Sequence, residues 1–187
     1  SDGIIVFNTT PAIDSCKSRA FIYQGKFYNT VKIGDQCWMA ENLDVGLMID
    51  SLQNAADNGT IEKYCYSNDP ANCGLYGGLY QWNEAMQYVT TQGTQGICPA
   101  GWHIPTNAEF QTFSSAVGGD GNALKAVGQG TGDGVGTNTS GFSALQAGVR
   151  GSLGGSFNYL GTIVYFWCST EFDATRANYL YLYSLNS

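Results

Sequence analysis

The residues of this chain that could do chemistry are few and lie far apart. Histidine occurs once, as His103, inside Ile97–Phe110 (ICPAGWHIPTNAEF). A hydrolase needs a nucleophile and a base within reach of each other, usually with a third group orienting the base. That requirement restricts the base to His103 and the nucleophile to Ser114, Ser169 or Cys168, and no spacing brings any of them beside it. His103 sits between Trp102 and Ile104 in an extended stretch running into Pro105, so its expected task is a hydrogen bond inside the scaffold. Glycoside hydrolysis needs a pair of carboxylates. Glu41, Glu84, Glu109 and Glu171 are the candidates, but Glu109 is wanted as a helix cap and Glu84 falls in a helical pattern near polar residues. Catalysis is therefore not expected.

Metal and phosphate chemistry fare no better. Six cysteines stand at 16, 37, 65, 73, 98 and 168. In a chain rich in Gly and Tyr they favour an oxidising compartment, and six allow 15 connectivities. Spacing supports one pair: Cys65 and Cys73 flank YSNDPAN, a Pro- and Asn-rich turn that brings its own ends together, so a disulfide is expected there. Zinc motifs space their cysteines more closely and draw on more histidine. Gly128–Gly136 has the glycine count of a phosphate-binding loop but lacks the Gly-Lys-Ser/Thr ending and a preceding strand. Asp120, Asp133 and Asn138 crowd a long loop with oxygen atoms of the kind calcium takes, yet no metal site and no cofactor is predicted. Acceptor triplets for N-glycosylation occur at Asn8, Asn58 and Asn138.

Composition narrows the class of partner. The 187 residues suffice for one domain with a sizeable core. Only 12% are charged, while there are 25 Gly, 12 Tyr and 9 Phe. That profile describes a loop-rich globular protein, since disordered chains lack the aromatics. A net charge of −7 argues against nucleic acid and anionic membranes, which both require basic patches. No apolar run reaches the roughly 18 residues that span a bilayer. The start at Ser1-Asp2-Gly3 reads as a mature or trimmed terminus without a signal peptide.

The elements that must position these residues follow in chain order. Residues 1–18 read as an N-terminal extension with one apolar run, Ile4–Phe7. Arg19–Tyr23 and Lys26–Val31 are β-rich runs about Gln24-Gly25, a hairpin signal. Gly34-Asp35 separates Thr30–Ile33 from Gln36–Ala40 as a second turn. Leu79–Val89 is a helix candidate, with Leu79, Trp82, Met86 and Val89 at spacings of three and four. The second helix is better signalled: Pro105 ends an extended segment, Thr106 caps, Glu109 follows three residues on, and Phe110, Phe113 and Val117 share a side. Gly118–Gly141 reads as a long loop with one helical turn at Ala123–Val127. Thr162–Cys168 is an apolar aromatic run. In Asn178–Leu185, Leu180 and Leu182 point one way and Tyr179, Tyr181 and Tyr183 the other. Those tyrosines either form an exposed row, the way antibody-like surfaces gain area at low entropic cost, or are covered by another strand or loop.

Several segments together resemble a known family, the Fibrobacter succinogenes major paralogous domain. They are TVKIGDQCWMAENL (Thr30–Leu43), YCYSNDPANCGLYGGLYQWNEAM (Tyr64–Met86), ICPAGWHIPTNAEF, GFSAL-AG-R (Gly141–Arg150) and FWCSTEFDATRANYLYL (Phe166–Leu182). The resemblance covers residues 19–187, taken as one domain. It implies an α+β, C-type-lectin-like fold with two helices, small antiparallel sheets and long irregular loops. It further implies a surface or secreted module without established catalytic activity. The family pattern continues with a strand carrying Val-Arg-Cys, which would follow Ser187 and whose cysteine would be the natural partner of Cys98. Cys16, Cys37, Cys98 and Cys168 stay unassigned. The calcium motifs of lectins with this fold, Glu-Pro-Asn, Gln-Pro-Asp and Trp-Asn-Asp, do not occur; Trp82-Asn83-Glu84 is the nearest.

Where the family usually has Trp-Ser-Ser-Thr-Glu, this chain has Trp167-Cys168-Ser169-Thr170-Glu171. That departure and the Asn/Tyr/Ser-rich tail resemble a subclass, the variable protein of a diversity-generating retroelement, whose last stretch is rewritten at adenines. Tyr165, Cys168, Phe172, Asn178, Tyr181 and Tyr183 fit its residue palette. The expectation is a noncatalytic ligand-binding or display module, secreted, lipoprotein-anchored or virion-displayed, that does not itself insert into a membrane. Its binding surface is expected at Tyr159, Tyr165, Cys168, Phe172, Asn178, Tyr179, Tyr181 and Tyr183, and its partner is a protein or glycan. The alternative is an enzyme on a related fold, either a cysteine-dependent oxidase using Cys168 or a glycoside hydrolase using a Glu pair.

Overall fold

Turn chemistry builds the first sheet. In the computed structural model, which describes residues 2–4, 8–9, 16 and 20–185, β2 (Ala20–Tyr23) and β3 (Lys26–Ile33) pair antiparallel about Gln24-Gly25. Both turn residues have positive φ, 45° and 80°, the hairpin geometry that matches strand twist. Gly34-Asp35 then joins β3 to β4 (Gln36–Met39). A short edge strand, β1 (Asn8–Thr9), completes the order β1-β4-β3-β2. Both hairpins stand where the sequence predicts them. Arg19 and the rest of the Ile4–Phe7 run lie outside the described residues. A disulfide between Cys16 and Cys37 ties the stretch before β2 to β4. Downstream, β5 (Leu47–Met48) and β6 (Glu62–Lys63) form a two-residue ladder that is parallel, a departure from the expected antiparallel pattern.

Among the described residues, four short helices replace the two expected. α1 (Pro70–Tyr76) occupies the segment read as a turn. Its signal is local: the Asp69 carboxylate accepts from the Ala71 amide at 2.9 Å and Pro70 opens the first turn, which is cap and N1 chemistry. The expected Cys65–Cys73 disulfide is present and clamps the start of this helix. The predicted helix Leu79–Val89 shrinks to α2 (Trp82–Ala85). Leu79 and Tyr80 are extended and bridge to Tyr64 and Gly3, while Gln87 and Tyr88 adopt φ of 51° and 58°, which no right-handed helix can continue. The three- and four-residue spacing there is no helical stripe, because Leu79 and Met86 are buried in separate clusters and Val89 is exposed.

α3 (Asn107–Ala116) appears as predicted, with the full capping box. The Thr106 hydroxyl accepts from the Glu109 amide at 3.3 Å and the Glu109 carboxylate accepts from the Thr106 amide at 2.8 Å. Its buried face, Phe110 and Phe113, packs on Trp38 at ring-centroid distances of 5.5 and 4.4 Å. α4 (Gly121–Leu124), capped by Asp120, is a helical turn in the long loop that starts and ends earlier than the expected Ala123–Val127, because Lys125 is extended; a 3-10 turn follows at Gly132–Gly134. The chain ends in two hairpin-like pairs, β7 (Ala147–Arg150) with β8 (Phe157–Leu160), and β9 (Ile163–Asp173) with β10 (Arg176–Tyr183). The architecture is α+β.

The core divides in two. One cluster gathers Trp38, Phe110, Phe113, Phe142 and Phe166 with Ile4, Val164, Cys168 and Leu182. The other gathers Tyr28, Met39, Tyr80, Met86, Ile97, Cys98, Trp102 and Ile104. Ile97–Phe110 thus runs from one cluster to the other, which is why so many apolar residues crowd that stretch.

At the head of the segment read as an extension, Asp2–Ile4 is stitched into the domain. The Asp2 amide donates to the Arg150 carbonyl at 2.8 Å and the Ile4 amide to the Tyr165 carbonyl at 2.7 Å. Trp167 returns a bond to the Ile4 carbonyl at 3.1 Å. Gly3 passes so close to β9 that a Cβ would stand 2.9 Å from the Tyr165 oxygen, so no larger residue fits without displacement. The buried Arg150 guanidinium donates to the Asp2 carboxylate and to the Ser51 and Gln53 carbonyls, and lies 3.8 Å above the Tyr64 ring. Burial pushes the Asp2 carboxyl up despite Arg150, and pushes the Tyr64 phenol up to about 12.

Candidate functional site

Alternation along the last hairpin separates two sets of side chains. Val164, Phe166 and Cys168 of β9, with Leu182 of β10, are buried in the core, and Leu180 packs against it. Tyr165, Trp167, Tyr179 and Tyr181 fall on the opposite parity. The register joins Tyr181 to Tyr165 and Tyr179 to Trp167 directly across the strands, and directly opposed residues share a face. The sequence expectation that Leu180 and Leu182 point inward and the tyrosines outward is met.

The outward rings form one continuous group. Tyr165 lies 4.7 Å from Tyr179 and 6.2 Å from Tyr181, and Trp167 lies 6.5 Å from Tyr179. Tyr179 and Tyr181 are 51% and 57% exposed, while Tyr165 and Trp167 beneath them are half-buried. The group is held from behind. The Trp167 indole N–H donates to the Tyr80 carbonyl at 2.8 Å, and Gly3 leaves room for its ring. Burial, followed by the neighbouring phenols of Tyr179, Tyr159 and Tyr181, raises the Tyr165 pKa.

The other residues expected in the surface are placed differently. Tyr159 on β8 is 64% exposed, in a left-handed conformation at φ 63°, and its phenol is near enough to act on Tyr165. Tyr183 pairs with Ile163 at the far end of the row and is half-buried; its carbonyl accepts from Lys125 Nζ at 2.8 Å. Asn178 turns its amide to the Thr170 and Glu171 carbonyls at 3.2 and 3.3 Å, bracing the irregular pairing near the hairpin end. Phe172 is exposed beside that end, under the Arg176 guanidinium at 4.6 Å.

Cys168 needs a correction. It shares the inward parity of Val164 and Phe166, is fully buried, and has no access to a partner. Burial also pushes its thiol up, the reverse of what a reactive cysteine requires. Trp167 is the residue that sequence reasoning passed over, although the alternation that selects Tyr165 selects Trp167 equally.

His103, Glu109, Ser169, Glu41 and Glu84, all considered for catalysis, are tied into the frame. His103 Nε2 lies 2.9 and 3.0 Å from the two Glu109 oxygens. Burial pushes the Glu109 carboxyl up, but hydrogen bonds from His103 and Thr106 and the nearby imidazole outweigh it and hold the group below its usual value. The Ser169 hydroxyl donates to the Pro105 carbonyl and accepts from the Gly93 amide. Glu41 accepts from the Asn29 amide and side chain. Glu84 is buried and accepts from the Glu62 amide and the Tyr88 hydroxyl at 3.0 and 2.9 Å.

The loop chemistry is likewise occupied internally. Amides of Gly128–Gly136 go to Gln146, Ser184 and Gln129 within the fold and not outward to a phosphate. Asp120 caps α4, and the Asn138 amide oxygen accepts from the Ser143 amide. Among the described residues no three His, Cys, Asp or Glu side chains gather as a metal site would require.

Comparison with known proteins places this chain in a family. The model of the Fibrobacter succinogenes major domain matches residues 31–184, and the chain belongs to that family. Neither the curated proteins nor the solved structures compared with it give a match.

Proposed function

We propose that this member of the Fibrobacter succinogenes major domain family is a noncatalytic binding or display module that engages a protein or glycan through its C-terminal tyrosine face. The observation that carries the proposal is the contiguous cluster of Tyr165, Trp167, Tyr179 and Tyr181 on a hairpin whose other side is core. Tyrosine and tryptophan supply large, stiff contact areas at low entropic cost and dominate the energetics of protein interfaces. The cluster is a broad platform and not a closed pocket, which favours a macromolecular surface over a small molecule.

A C-type-lectin-like fold and an extracellular or surface location accompany this reading. Two disulfides fit an oxidising compartment, and no helix among the described residues is long and apolar enough to cross a membrane. Diversification by a retroelement is part of the same proposal. Tyr165, Phe172, Asn178, Tyr181 and Tyr183 carry its residue palette on a braced hairpin, whereas the palette residue Cys168 faces the core. Sequencing the gene's neighbourhood tests it: a template repeat and a reverse transcriptase are expected, and their absence sinks the retroelement.

The binding role is tested by screening arrays of surface glycans and cell-surface proteins with the intact chain and with Tyr179→Ala/Tyr181→Ala. Binding present in the first and lost in the second, at an unchanged melting temperature, is the expected result. A large fall in melting temperature would show instead that these rings are part of the core.

A further inference from the structure

We infer that the partner of the tyrosine face is a protein presenting lysine or arginine side chains, which the rings accept over their π faces. This rests on the binding role proposed for that face and narrows the choice of partner. The first support is charge. The chain has 15 acidic against 8 basic residues, and every described cation is already engaged. Lys26 and Lys63 hold Asp44, Lys32 holds Asp35, Arg150 holds Asp2, Arg176 holds Asp173, and Lys125 donates to the Tyr183 carbonyl. Among the described residues, Asp50, Asp57, Asp69, Asp133 and Glu171 form no ion pair with a Lys or Arg. The protein's net field therefore draws in a basic partner and repels an acidic one.

The face itself is uncharged. Ile163–Trp167 and Tyr179–Tyr183 contain no ionisable group other than the phenols, and the cation nearest to them, Lys125, is buried and turned to the Tyr183 carbonyl. The ring geometry points the same way. Tyr165 and Tyr179 stand at 75°, Tyr179 and Tyr181 at 66°, and Trp167 and Tyr179 at 75°. Each edge-to-face contact sets a neighbour's edge against one ring face, and the ring surface that Tyr179 and Tyr181 leave to solvent is where a cation can sit. A sugar ring asks for a flat platform with amides or carboxylates beside it. Here the polar groups are phenol hydroxyls and an indole N–H already bonded to Tyr80. The chain uses the same chemistry internally, with Arg150 over Tyr64, Arg176 over Phe172 and Lys26 over Tyr28.

The experiment titrates the intact chain with four probes, following Trp fluorescence: deca-arginine, deca-lysine, deca-glutamate and uncharged oligosaccharides. The two basic peptides are expected to bind, more weakly as salt is raised. Tyr179→Leu/Tyr181→Leu keeps the apolar area and the net charge but removes two π faces, and should weaken that binding about tenfold. Tyr179→Phe/Tyr181→Phe should stay within about threefold of the parent, since the ring quadrupole is kept. Equal affinity of the Leu variant and the parent overturns the inference, because a diffuse acidic field alone would then explain the binding. Oligosaccharide binding at this face without peptide binding also overturns it, yet leaves the binding role standing. If the Ala variant alters no interaction in the wider screen, the binding role and the inference fall together.

Discussion

Two groups of aromatic rings in this molecule have similar geometry and opposite fates. Around Trp38, the rings of Phe113 and Phe142 lie 4.4 and 6.3 Å away, tilted or edge-on, and all are buried. Around Tyr179, the rings of Tyr165, Tyr181 and Trp167 lie 4.7, 6.3 and 6.5 Å away, also edge-on, with Tyr179 and Tyr181 open to solvent and Tyr165 and Trp167 half-buried beneath them. Only one strand, β9, separates the two groups: Phe166 belongs to the first and its neighbours Tyr165 and Trp167 to the second. The same local interactions fill the core in one place and lie at the surface in the other. What distinguishes them is strand parity: Phe166 turns toward the packed core of Trp38, while Tyr165, Tyr179 and Tyr181 fall on the opposite side of the hairpin.

Substitutions that break this comparison should follow a gradient. The largest effect is expected at Phe113→Ala, which hollows the first group and should cost about 3–5 kcal/mol, read as a fall in melting temperature by calorimetry. Arg150→Met comes next at about 3 kcal/mol, because it strands the buried Asp2 carboxylate that holds Gly3 behind Trp167. Adding Asp2→Asn to that variant should restore much of the loss in chemical denaturation. Thr106→Ala, which removes the cap at the segment joining the two core clusters, should cost about 1 kcal/mol.

The cap also carries a pH dependence. Glu109 titrates below its ordinary value of 4.5 when folded. Its contribution is therefore complete above that value and is lost as pH falls through the lower native value. Glu109→Gln should flatten the acid limb of the stability profile. The smallest effect on stability belongs to the exposed group: Tyr179→Ala and Tyr181→Ala should each shift unfolding by less than about 0.5 kcal/mol. A loss as large as that at Phe113 would erase the distinction between the two groups. Native alkylation sharpens it further, since Cys168, on the core side of β9, should label only after unfolding.

Much of this was legible in the chain, and the misses have physical reasons. Gln24-Gly25, the Thr106–Glu109 box and the alternation of Asn178–Leu185 are short-range signals, complete within a few residues, and each appears as expected. Leu79–Val89 misled because its apolar spacing arises from two different clusters and because Gln87 and Tyr88 sit in a conformation that their identities do not announce. α1 was hidden by its composition, although Asp69-Pro70 is a start signal. Cys168 was drawn into the surface by a family comparison of residue type, when parity with Phe166 already assigned it inward. The seat of Arg150 lies beyond local reading altogether, since its partners Ser51 and Asp2 are 99 and 148 positions away.

That last distance bears on the order in which the molecule can assemble. The Cys65–Cys73 and Cys16–Cys37 bridges span 8 and 21 positions and close short loops. Asp2 and Ile4 must wait for Arg150 and Phe166, and contacts of such separation slow folding through the entropy of loop closure. Until β9 is made, Asp2–Ile4 have no seat, and without them Trp167 lacks part of its backing. The ring group of β9 and β10 thus acquires its full backing only after residues 148 positions apart have met.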